Sequence, residues 1–427
     1  MKYFIKKIYL ILLLITVLLF SNAAFSKNTK FQYSKDDISN YFSGIISLNK
    51  NYTTAGFKYL SKVKSLKKTH SNYNAQFIRS LVLLEKFEQA FAFSKSIWLE
   101  DESFFEVDLL LGLESFIKKD YDSAEQYFQR LNKISQYNLF FEDFFGYILT
   151  TWIKASKNNK EDAFEFLNKL PKRYDNLKLI QNSFLQCYFG TAKTEIAFEK
   201  LIKNNEDYSF SRYNFFLINY FLSKNEKVAA RILASYSRNI YNSNLLIKQA
   251  ENFILNDESK KIENFFDCKN PTDVIAEIFY VIANLYSTQQ NYQLSNFYLK
   301  ISLFLNNKFI PNKTLLAENF FYQKRYELSK KIYNSIRSIG PVYSWHASKN
   351  VAVILLDTVD KQHSISSLEN EFNLLPKPNF EHYYELANFY KDNEYYKKAI
   401  KYYSLALKNI KEDHYLVPKI FDRRGTS

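Results

Sequence analysis

The sequence predicts an all-α protein built from short helical hairpins stacked in a row. The chain has 427 residues but only seven Gly and seven Pro, far below the ordinary shares of roughly 7% and 5%. Because sheets need many tight turns that use those residues, a helical fold is favoured. Aromatic residues make up 18% of the chain, which supplies the apolar material for a core and excludes intrinsic disorder over most of the length.

The clearest of these hairpins lies between Phe380 and Lys411. Each half carries apolar residues at helical spacing, on one face of a helix, and the polar stretch 391–394 separates the halves. The two apolar stripes consist of Tyr383, Leu386, Ala387 and Tyr390, then Tyr396, Ala399, Ile400, Tyr403, Ala406 and Leu407. Ala387 and Ala399 mark the close approach of two helix backbones, because a larger side chain there would overpack the contact at a cost of roughly 1–3 kcal/mol.

A small residue that opens the second helix recurs along the chain. The marks are Ala55, Ala90, Ala124, Ala163, Ala197, Ala230, Ser295, Ser329 and Ala399. Their first five spacings are 35, 34, 39, 34 and 33 residues. The two widest intervals each leave room for one further unit, around Ile247 to Phe266 and around Val351 to Leu374. A fixed period of this kind is the sequence signature of a repeat architecture.

These offsets and this period are similar to those of the tetratricopeptide repeat (TPR), which is about 34 residues long. The chain resembles the TPR superfamily over residues 39–413. The resemblance implies an all-α, right-handed superhelical solenoid of about eleven TPR-like helix pairs, with a concave groove that holds a protein or peptide partner. A narrower resemblance is to exported alphaproteobacterial TPR proteins. It is carried by Tyr41-Phe42-Ser43-Gly44, by Asn51-Tyr52-Thr53-Thr54-Ala55, by Gly146-Tyr147 with Trp152, and by His414 to Gly425.

The N-terminus predicts a signal peptide, residues 1–26. Three lysines among the first seven residues precede an apolar run of 13 residues, Ile8 to Phe20, and small residues then permit cleavage after Ser26. The run is short for a membrane span of about 20 residues, so we expect a cleaved export signal, with a retained anchor as the alternative. We expect residues 27–38 to be a flexible segment and the exported chain to lie in a bacterial periplasm, without a membrane span.

The net charge is +14, of which Lys2, Lys6 and Lys7 account for three, which leaves +11 after the signal. A basic balance favours nucleic acid as a partner. Two observations argue against that partner, since the signal removes the chain from cellular nucleic acid and the lysines are spread along the whole length. Composition rich in Lys, Asn, Ile, Phe and Tyr explains the charge, and attraction to anionic envelope surfaces or acidic partners is the alternative.

Cys187 and Cys268 are separated by 81 residues, which is more than two repeat periods. In a solenoid each repeat touches only its neighbours, and a disulfide needs Cα atoms within about 7 Å. We therefore expect two buried free thiols.

The C-terminal residues 414–427 predict the start of a further repeat that stops early. A solenoid needs a closing helix with a polar outer face, and none is evident in the sequence. We expect the natural protein to continue beyond Ser427; the alternative is a true end whose apolar edge pairs with a second copy.

No catalytic motif emerges from the sequence. A Gly-rich phosphate loop, an HExxH zinc pair and a G-x-S-x-G elbow are all absent from it. His346 beside Trp345 is interpreted as packing or surface. The sequence therefore predicts a protein that is not an enzyme and implies no cofactor and no metal.

The repeat register predicts which side chains line the groove. Positions one and four residues after the small first-helix residue give the peptide-groove candidates Asn284, Glu318, Asn388, Lys391, Phe116 and Phe321. An Asn amide offers both donors and an acceptor to a peptide backbone. Inter-repeat packing is the competing interpretation for the two Phe residues, and plain surface exposure for the two Asn residues.

The function favoured by the sequence is a periplasmic scaffold of TPR type that binds a protein or peptide in cell-envelope assembly or maintenance. The alternative is a glycan- or peptidoglycan-associated module, joined to a region missing beyond residue 427. Its expected signature is aromatic side chains exposed in the groove.

Overall fold

The computed structural model describes residues 33–100, 102, 104–135, 144–203, 211–238, 244–262 and 265–427. Within these ranges all regular elements are helical. The α-helices are α1 (Lys35–Asn49), α2 (Thr53–Leu60), α3 (Ser71–Leu83), α4 (Phe87–Ile97), α5 (Phe105–Ile117), α6 (Tyr121–Ser135), α7 (Phe144–Ser156), α8 (Lys160–Asn168), α9 (Asp175–Tyr188), α10 (Thr194–Lys203), α11 (Ser211–Ser223), α12 (Lys227–Arg238), α13 (Leu245–Leu255), α14 (Pro271–Thr288), α15 (Tyr292–Leu305), α16 (Ile310–Tyr322), α17 (Tyr326–Ile336), α18 (Pro341–Thr358), α19 (Lys361–Asn373), α20 (Phe380–Asp392), α21 (Tyr396–Asn409) and α22 (Val417–Gly425). Short 3₁₀ helices span Lys64–Lys68, Lys172–Tyr174, Ser259–Lys261 and Arg337–Ile339.

The expected signal peptide lies outside the described residues, as do residues 27–32. Helix α1 begins at Lys35, inside the segment 27–38 that the sequence predicted to be flexible. Ser34 caps the helix, because its hydroxyl accepts a hydrogen bond from the Asp37 amide at 3.0 Å and the Asp37 carboxylate accepts one from the Ser34 amide. This capping box satisfies two backbone donors and fixes the start of the helix.

Consecutive α-helices pack as pairs through very tight turns. Ten of these turns contain one residue with φ close to +60°, and nine of the ten are not glycine: Asn51, Glu85, Lys119, Asn158, Asn225, Asp257, Gln290, Lys324 and Glu394, with Gly190 as the tenth. The left-handed residue ends the first helix, because the following amides bond back to its last carbonyls. Left-handed backbone at a side-chain-bearing residue costs roughly 1–2 kcal/mol. The turns therefore form without glycine, and this explains how a chain with seven Gly makes so many hairpins.

The predicted small positions lie at the helix contacts. Seven of the nine marks have no exposed surface: Ala90, Ala124, Ala163, Ala230, Ser295, Ser329 and Ala399. The other two contacts use a neighbouring residue. Gly56 packs against Leu48 in place of Ala55, and Thr194 is fully buried in place of Ala197. In the first helix of one pair, a Cβ added to Gly112 would overlap the ring of Phe128. Small side chains thus permit the close approach that the sequence predicted.

The two wide intervals hold different structures. The interval around Val351 to Leu374 contains a full pair, α18 and α19, in which the buried Ser364 hydroxyl donates to the Ala352 carbonyl at 2.6 Å. The interval around Ile247 to Phe266 contains α13 followed by the 3₁₀ turn Ser259–Lys261 and no second α-helix among its described residues. The second unit is therefore half of a repeat.

Helix α14 fills the inner face of the N-terminal half of the array. Its residues are buried on every side: Val274, Ile275, Ala276, Glu277, Ile278, Phe279, Tyr280, Ile282, Ala283 and Tyr286. The Phe279 ring lies 5.5 Å from that of Phe145 on α7. On the next helix, the Phe304 ring stacks 4.0 Å from that of Phe87 on α4. A helix that is apolar all round must be enclosed, so the predicted groove is occupied by the chain itself over this half.

A buried ion pair lies between α11 and α14. The Arg212 Nη2 atom is 2.5 Å from Glu277 Oε1, and the Glu277 side chain is completely buried. The Tyr213 hydroxyl donates to the same carboxylate oxygen at 2.8 Å. Burial and the nearby carboxylate raise the pKa of Tyr213 well above its usual range, so it stays a donor. Removing one partner of such a pair leaves a buried charge uncompensated, and the contact therefore specifies how α14 sits against α11.

The prediction of two free thiols is wrong. Cys187 and Cys268 form a disulfide, with Cα atoms 6.0 Å apart. The prediction assumed contacts between neighbouring repeats alone, whereas the segment before α14 returns to α9. There the Phe266 ring lies 4.9 Å from that of Phe184. Sequence separation therefore did not measure distance in this fold.

The C-terminal pairs form a second apolar cluster beside the main one. It extends from Trp345 on α18 to Ile420 on α22, while the main cluster runs from Leu48 to Ile354. Helix α18 contributes to both. The expected start of a further repeat, residues 414–427, contains α22, whose Ile420 is fully buried and whose Arg423 Nε donates to the Tyr403 hydroxyl at 3.0 Å.

Replacing Cys187 by Ser should lower the free energy of unfolding by about 4 kcal/mol, because the disulfide closes a long loop in the unfolded chain. Urea unfolding of Cys187→Ser, Cys268→Ser and the double variant measures the loss. The three losses should agree within error, and reductant should shift only the wild type. Two reactive thiols in the denatured, unreduced exported chain would contradict the pairing.

Candidate functional site

A polar cleft of ≈ 160 Å³ opens where α13, α18 and α20 meet. It lies at the junction of the two apolar clusters, beyond the part of the inner face that α14 fills. Its lining consists of Leu245, Lys248, Glu251, Asn252, Leu255, Pro341, Val342, Trp345, His346, Lys349, Asn379, Glu381, His382 and Glu385. We call this feature the junction cleft.

Helix α18 starts against α13 through a glycine. Gly340 has φ +157°, and a Cβ there would overlap the amide group of Gln249. The Gln249 Oε1 atom accepts a hydrogen bond from the Val342 amide at 2.9 Å, which satisfies one of the free donors at the helix start. Pro341 follows at the first helical position, where its missing N–H costs nothing. Glycine is needed here so that α13 can approach and form one wall of the cleft.

Helix α20 positions His382 through its own cap. The Asn379 side chain accepts a hydrogen bond from the His382 amide, and His382 Nδ1 accepts one from the Asn379 amide, each at 3.1 Å. Since Nδ1 is an acceptor, the neutral ring carries its proton on Nε2. Burial lowers the pKa of His382. The ring therefore lines the cleft as a neutral group with one donor.

Glu385 is the central charged group of the cleft floor. Its Oε2 atom accepts from Trp345 Nε1 at 2.5 Å, and its Oε1 atom pairs with Lys349 Nζ at 2.5 Å. Burial by itself raises the pKa of this carboxyl, but the charge and hydrogen bond of Lys349 outweigh it and hold the pKa below its usual range. Both oxygens are thus occupied, and Glu385 fixes the side chains of α18 against α20.

His346 lies beside this pair on α18. Its ring is 5.9 Å from that of Tyr333. Burial, with a smaller contribution from the Lys349 charge, lowers the pKa of His346 to about 4. The residue interpreted from sequence as packing or surface therefore does pack, and it also lines the cleft.

A second ion pair crosses the cleft. Lys248 Nζ on α13 lies 3.2 Å from Glu381 Oε1 on α20, and both side chains are partly exposed. A pair of this kind contributes little to stability, about 0–1 kcal/mol. It is accessible to a ligand that offers its own charges or amides, because exchanging partners costs little.

The lining chemistry of the cleft is that of a binding site. Its residues include two Asn, three Glu, two Lys and two His, but neither Ser, Thr nor Cys. Across the described ranges there is no cluster of three or more His, Cys, Asp or Glu able to hold a metal ion. What the arrangement offers is hydrogen bonds and exchangeable ion pairs to a polar ligand.

Three of the predicted groove residues lie on α14 and α16. Asn284 is exposed. Glu318 is half-buried and forms no hydrogen bond or ion pair with the described residues; burial raises its pKa. Phe321 is half-buried with its ring 5.8 Å from that of Tyr326. None of the three is among the residues that line the junction cleft.

The other three candidates are occupied by contacts within their own repeats. Phe116 is 3% exposed and its ring lies 5.6 Å from that of Tyr121. The Asn388 side chain accepts from the Tyr403 hydroxyl at 2.7 Å. Lys391 Nζ donates to the Arg423 carbonyl at 2.8 Å. Packing, the competing interpretation, is the one that matches Phe116.

The residues of the junction cleft were missed by the repeat register. Lys248 and Glu381 are 133 residues apart in sequence, so their pairing depends on the fold. One local signal existed: Trp345 with Lys349 and Glu381 with Glu385 are spaced four apart, which places each pair on one helix face. Register arithmetic looked one and four residues after the small position and therefore did not reach them.

Similarity to known proteins is confined to the helical-repeat fold. No protein-family model matches the sequence, and no curated protein matches it. The chain is similar to the crystal structure of the APC/C hetero-tetramer Cut9–Hcn1 at 12% identity and a TM-score of 0.29, over 93% of this chain and 84% of that one. It is similar to the structure of Naa15/Naa10 bound to HypK-THB at 13% identity and a TM-score of 0.23, over 91% of this chain and 66% of that one.

The helix pairs, their period and their buried small positions define a TPR-like helical repeat protein. The predicted all-α fold class is confirmed. Within the described residues no helix is long and apolar enough to cross a membrane.

The stability of the protein should fall as the pH drops from about 6.5 toward 4, in part because of His346. A ring whose folded pKa lies below its unfolded value favours the native state above pH 6.5 and loses that contribution on acidification. In His346→Gln, the gap in unfolding free energy to the wild type should change by about 1–2 kcal/mol between pH 7.5 and 4.5, after discounting for partial exposure. Urea unfolding at both pH values measures it, and parallel curves would refute the assignment.

Proposed function

We propose that this protein is an exported scaffold that binds a peptide segment of a protein partner in the junction cleft and acts in cell-envelope assembly or maintenance. The observation that carries the proposal is the cleft itself, an opening among three helices lined by amides and exchangeable ion pairs. Stacked helical repeats use such inner surfaces for binding other proteins. The partner is held by hydrogen bonds and charge, because the exposed lining is mostly polar.

The size of the cleft favours a macromolecular ligand. Sites for free small molecules measure about 300–1,000 Å³, whereas this one measures ≈ 160 Å³. A volume of that size receives one or two side chains of a longer segment. Asn252 and Asn379 each present both donors and an acceptor, which suits a peptide backbone.

The glycan alternative is less well supported at this site. Sugar recognition needs an aromatic face open to the ligand. The aromatic lining residue is Trp345, which is 6% exposed and whose ring nitrogen is bonded to Glu385. A sugar therefore has no open aromatic face to stack on in the junction cleft.

Export is supported by two independent features. The sequence of residues 1–26 has the composition of a signal peptide. The disulfide between Cys187 and Cys268 is of a kind that persists in oxidising compartments such as the bacterial periplasm and is rare in the cytosol. Together they place the scaffold outside the cytoplasm in our proposal.

Photo-crosslinking tests the binding site directly. A benzophenone amino acid at Asn252 or Leu255, on the wall of the cleft, should yield one discrete protein adduct in living cells after irradiation. The matched control places the same group at Val228, which is 74% exposed and lies away from the cleft lining. Lys248→Glu should weaken the adduct by removing the exchangeable ion pair. Equal adducts at Val228, or none at the cleft, would count against the proposal.

Export has a separate test. Residues 1–45 fused to alkaline phosphatase, which is active only after export, should give activity in a bacterial host. Deleting residues 8–20 should abolish that activity because the apolar run directs export. N-terminal sequencing of the exported chain should begin at Lys27 if cleavage follows Ser26. Activity that survives the deletion would exclude the signal assignment.

A further inference from the structure

The N-terminal repeat carries the longest stretch of uncompensated positive charge. Between Asp37 and Glu85 there is no acidic residue, while this interval contains Lys50, Lys58, Lys62, Lys64, Lys67, Lys68 and Arg79. Arg79 is paired with Glu106. The six lysines form no ion pair with any described residue, and all except Lys67 are exposed. The lysines therefore present their charge to solvent.

The neighbouring helix α1 has an exposed apolar stripe. Ile38, Phe42 and Ile46 are spaced four residues apart and are 48%, 57% and 53% exposed. The opposite side of α1 packs against α2, with Leu48 and Gly44 buried. Terminal repeats of solenoids normally turn a polar outer face to water, so this stripe is out of place on a surface that faces water alone.

The stripe and the lysines meet at one apolar depression. A cleft of ≈ 160 Å³ lies between α1 and the 3₁₀ turn Lys64–Lys68, lined by Tyr33, Asp37, Ile38, Tyr41, Phe42, Leu66 and His70. Leu66 forms one wall, and its own 3₁₀ turn carries Lys64, Lys67 and Lys68. The acidic lining residue, Asp37, is engaged in capping α1. The opening is thus apolar inside and basic along one edge.

We propose that this N-terminal surface docks on an anionic phospholipid membrane. Ile38 and Phe42 enter the interface between headgroups and acyl chains, while Lys58, Lys64 and Lys68 lie at the level of the phosphates. Apolar insertion combined with electrostatic attraction is how a surface of this composition binds a membrane without crossing it. Each lysine near an anionic surface adds about a fivefold gain in partitioning.

The charge pattern favours a membrane over an acidic peptide. The lysines extend from Lys50 to Lys68 over a helix, a loop and a 3₁₀ turn, and a diffuse array of single charges matches a continuous sheet of phosphates. The apolar residues project from the outside of a terminal helix, which suits insertion into a flat interface. The N-terminal apolar run, residues 8–20, ends 14 residues before Lys35, so the export step itself delivers this surface to a membrane.

Vesicle flotation tests the proposal. The exported chain, residues 27–427, retains both apolar clusters, which lie within 48–420. It should float with vesicles of equal phosphatidylglycerol and phosphatidylcholine and stay unbound with phosphatidylcholine alone. Binding should weaken as salt rises from 50 to 500 mM, because salt screens exposed charges.

Two double variants separate the contributions. Lys64→Gln with Lys68→Gln should weaken partitioning about 30-fold, and Ile38→Ser with Phe42→Ser should abolish flotation at any salt concentration. The matched control, Lys408→Gln with Lys411→Gln, makes the same charge change at exposed residues of the other end and should change little. All variants should keep the wild-type circular dichroism and melting temperature because every altered side chain is exposed.

Several outcomes would overturn the assignment. These are equal binding to both vesicle types, no binding to either, or a loss in the control as large as in the N-terminal lysine variant. Retention of the chain by immobilised polyglutamate without vesicle binding would assign the surface to an acidic protein segment. The result is independent of the junction cleft, because none of the altered residues contributes to it.

Discussion

The burial of α14 is the constraint that organises this molecule. A helix with Val, Ile, Phe and Ala on all its faces cannot lie on a surface, and burying each large apolar side chain contributes about 1.5–3 kcal/mol. The first helices α7, α9 and α11 supply the apolar faces that enclose it, through residues such as Phe145 and Phe216. The repeat array therefore wraps around one of its own members, and distant repeats come into contact.

That enclosure explains several features which neighbour-to-neighbour stacking does not. It brings the segment before α14 back to α9, where Cys187 and Cys268 pair. It places Glu277 inside the protein, where Arg212 compensates the charge. It also connects the first repeat to α16 and α17, since Gln323 Nε2 donates to Asn51 Oδ1 at 2.8 Å. Hydrophobic burial sets the arrangement, and the polar contacts make it specific.

The same enclosure decides where binding surfaces remain. Over the N-terminal half the inner face is filled, so an open polar cleft survives only beyond it, among the described residues of α13, α18 and α20. The two surfaces we assign differ in chemistry. The junction cleft has balanced charges that are paired with one another, whereas the N-terminal surface has lysines without acidic partners beside an apolar stripe. A scaffold held at a membrane by one end and binding a protein at the other end is consistent with both.

The sequence by itself determined the helix pairs, because their causes are local. Apolar spacing, small residues such as Ala387 and Ala399, and polar turns each act within about 34 residues, and these positions lie at the helix contacts as predicted. It did not indicate that side chains other than Gly would occupy the left-handed turns, or that the unit after α13 is half a repeat.

Only the tertiary structure decided which repeats meet. The disulfide, the filled inner face and the Lys248–Glu381 pair join residues separated by 81 or more positions, and no local pattern encodes such a distance. Small rotations between successive pairs accumulate along the array and set its curvature. The groove candidates failed to converge for that reason, since their register was correct within each repeat and the assembly of repeats was not contained in it.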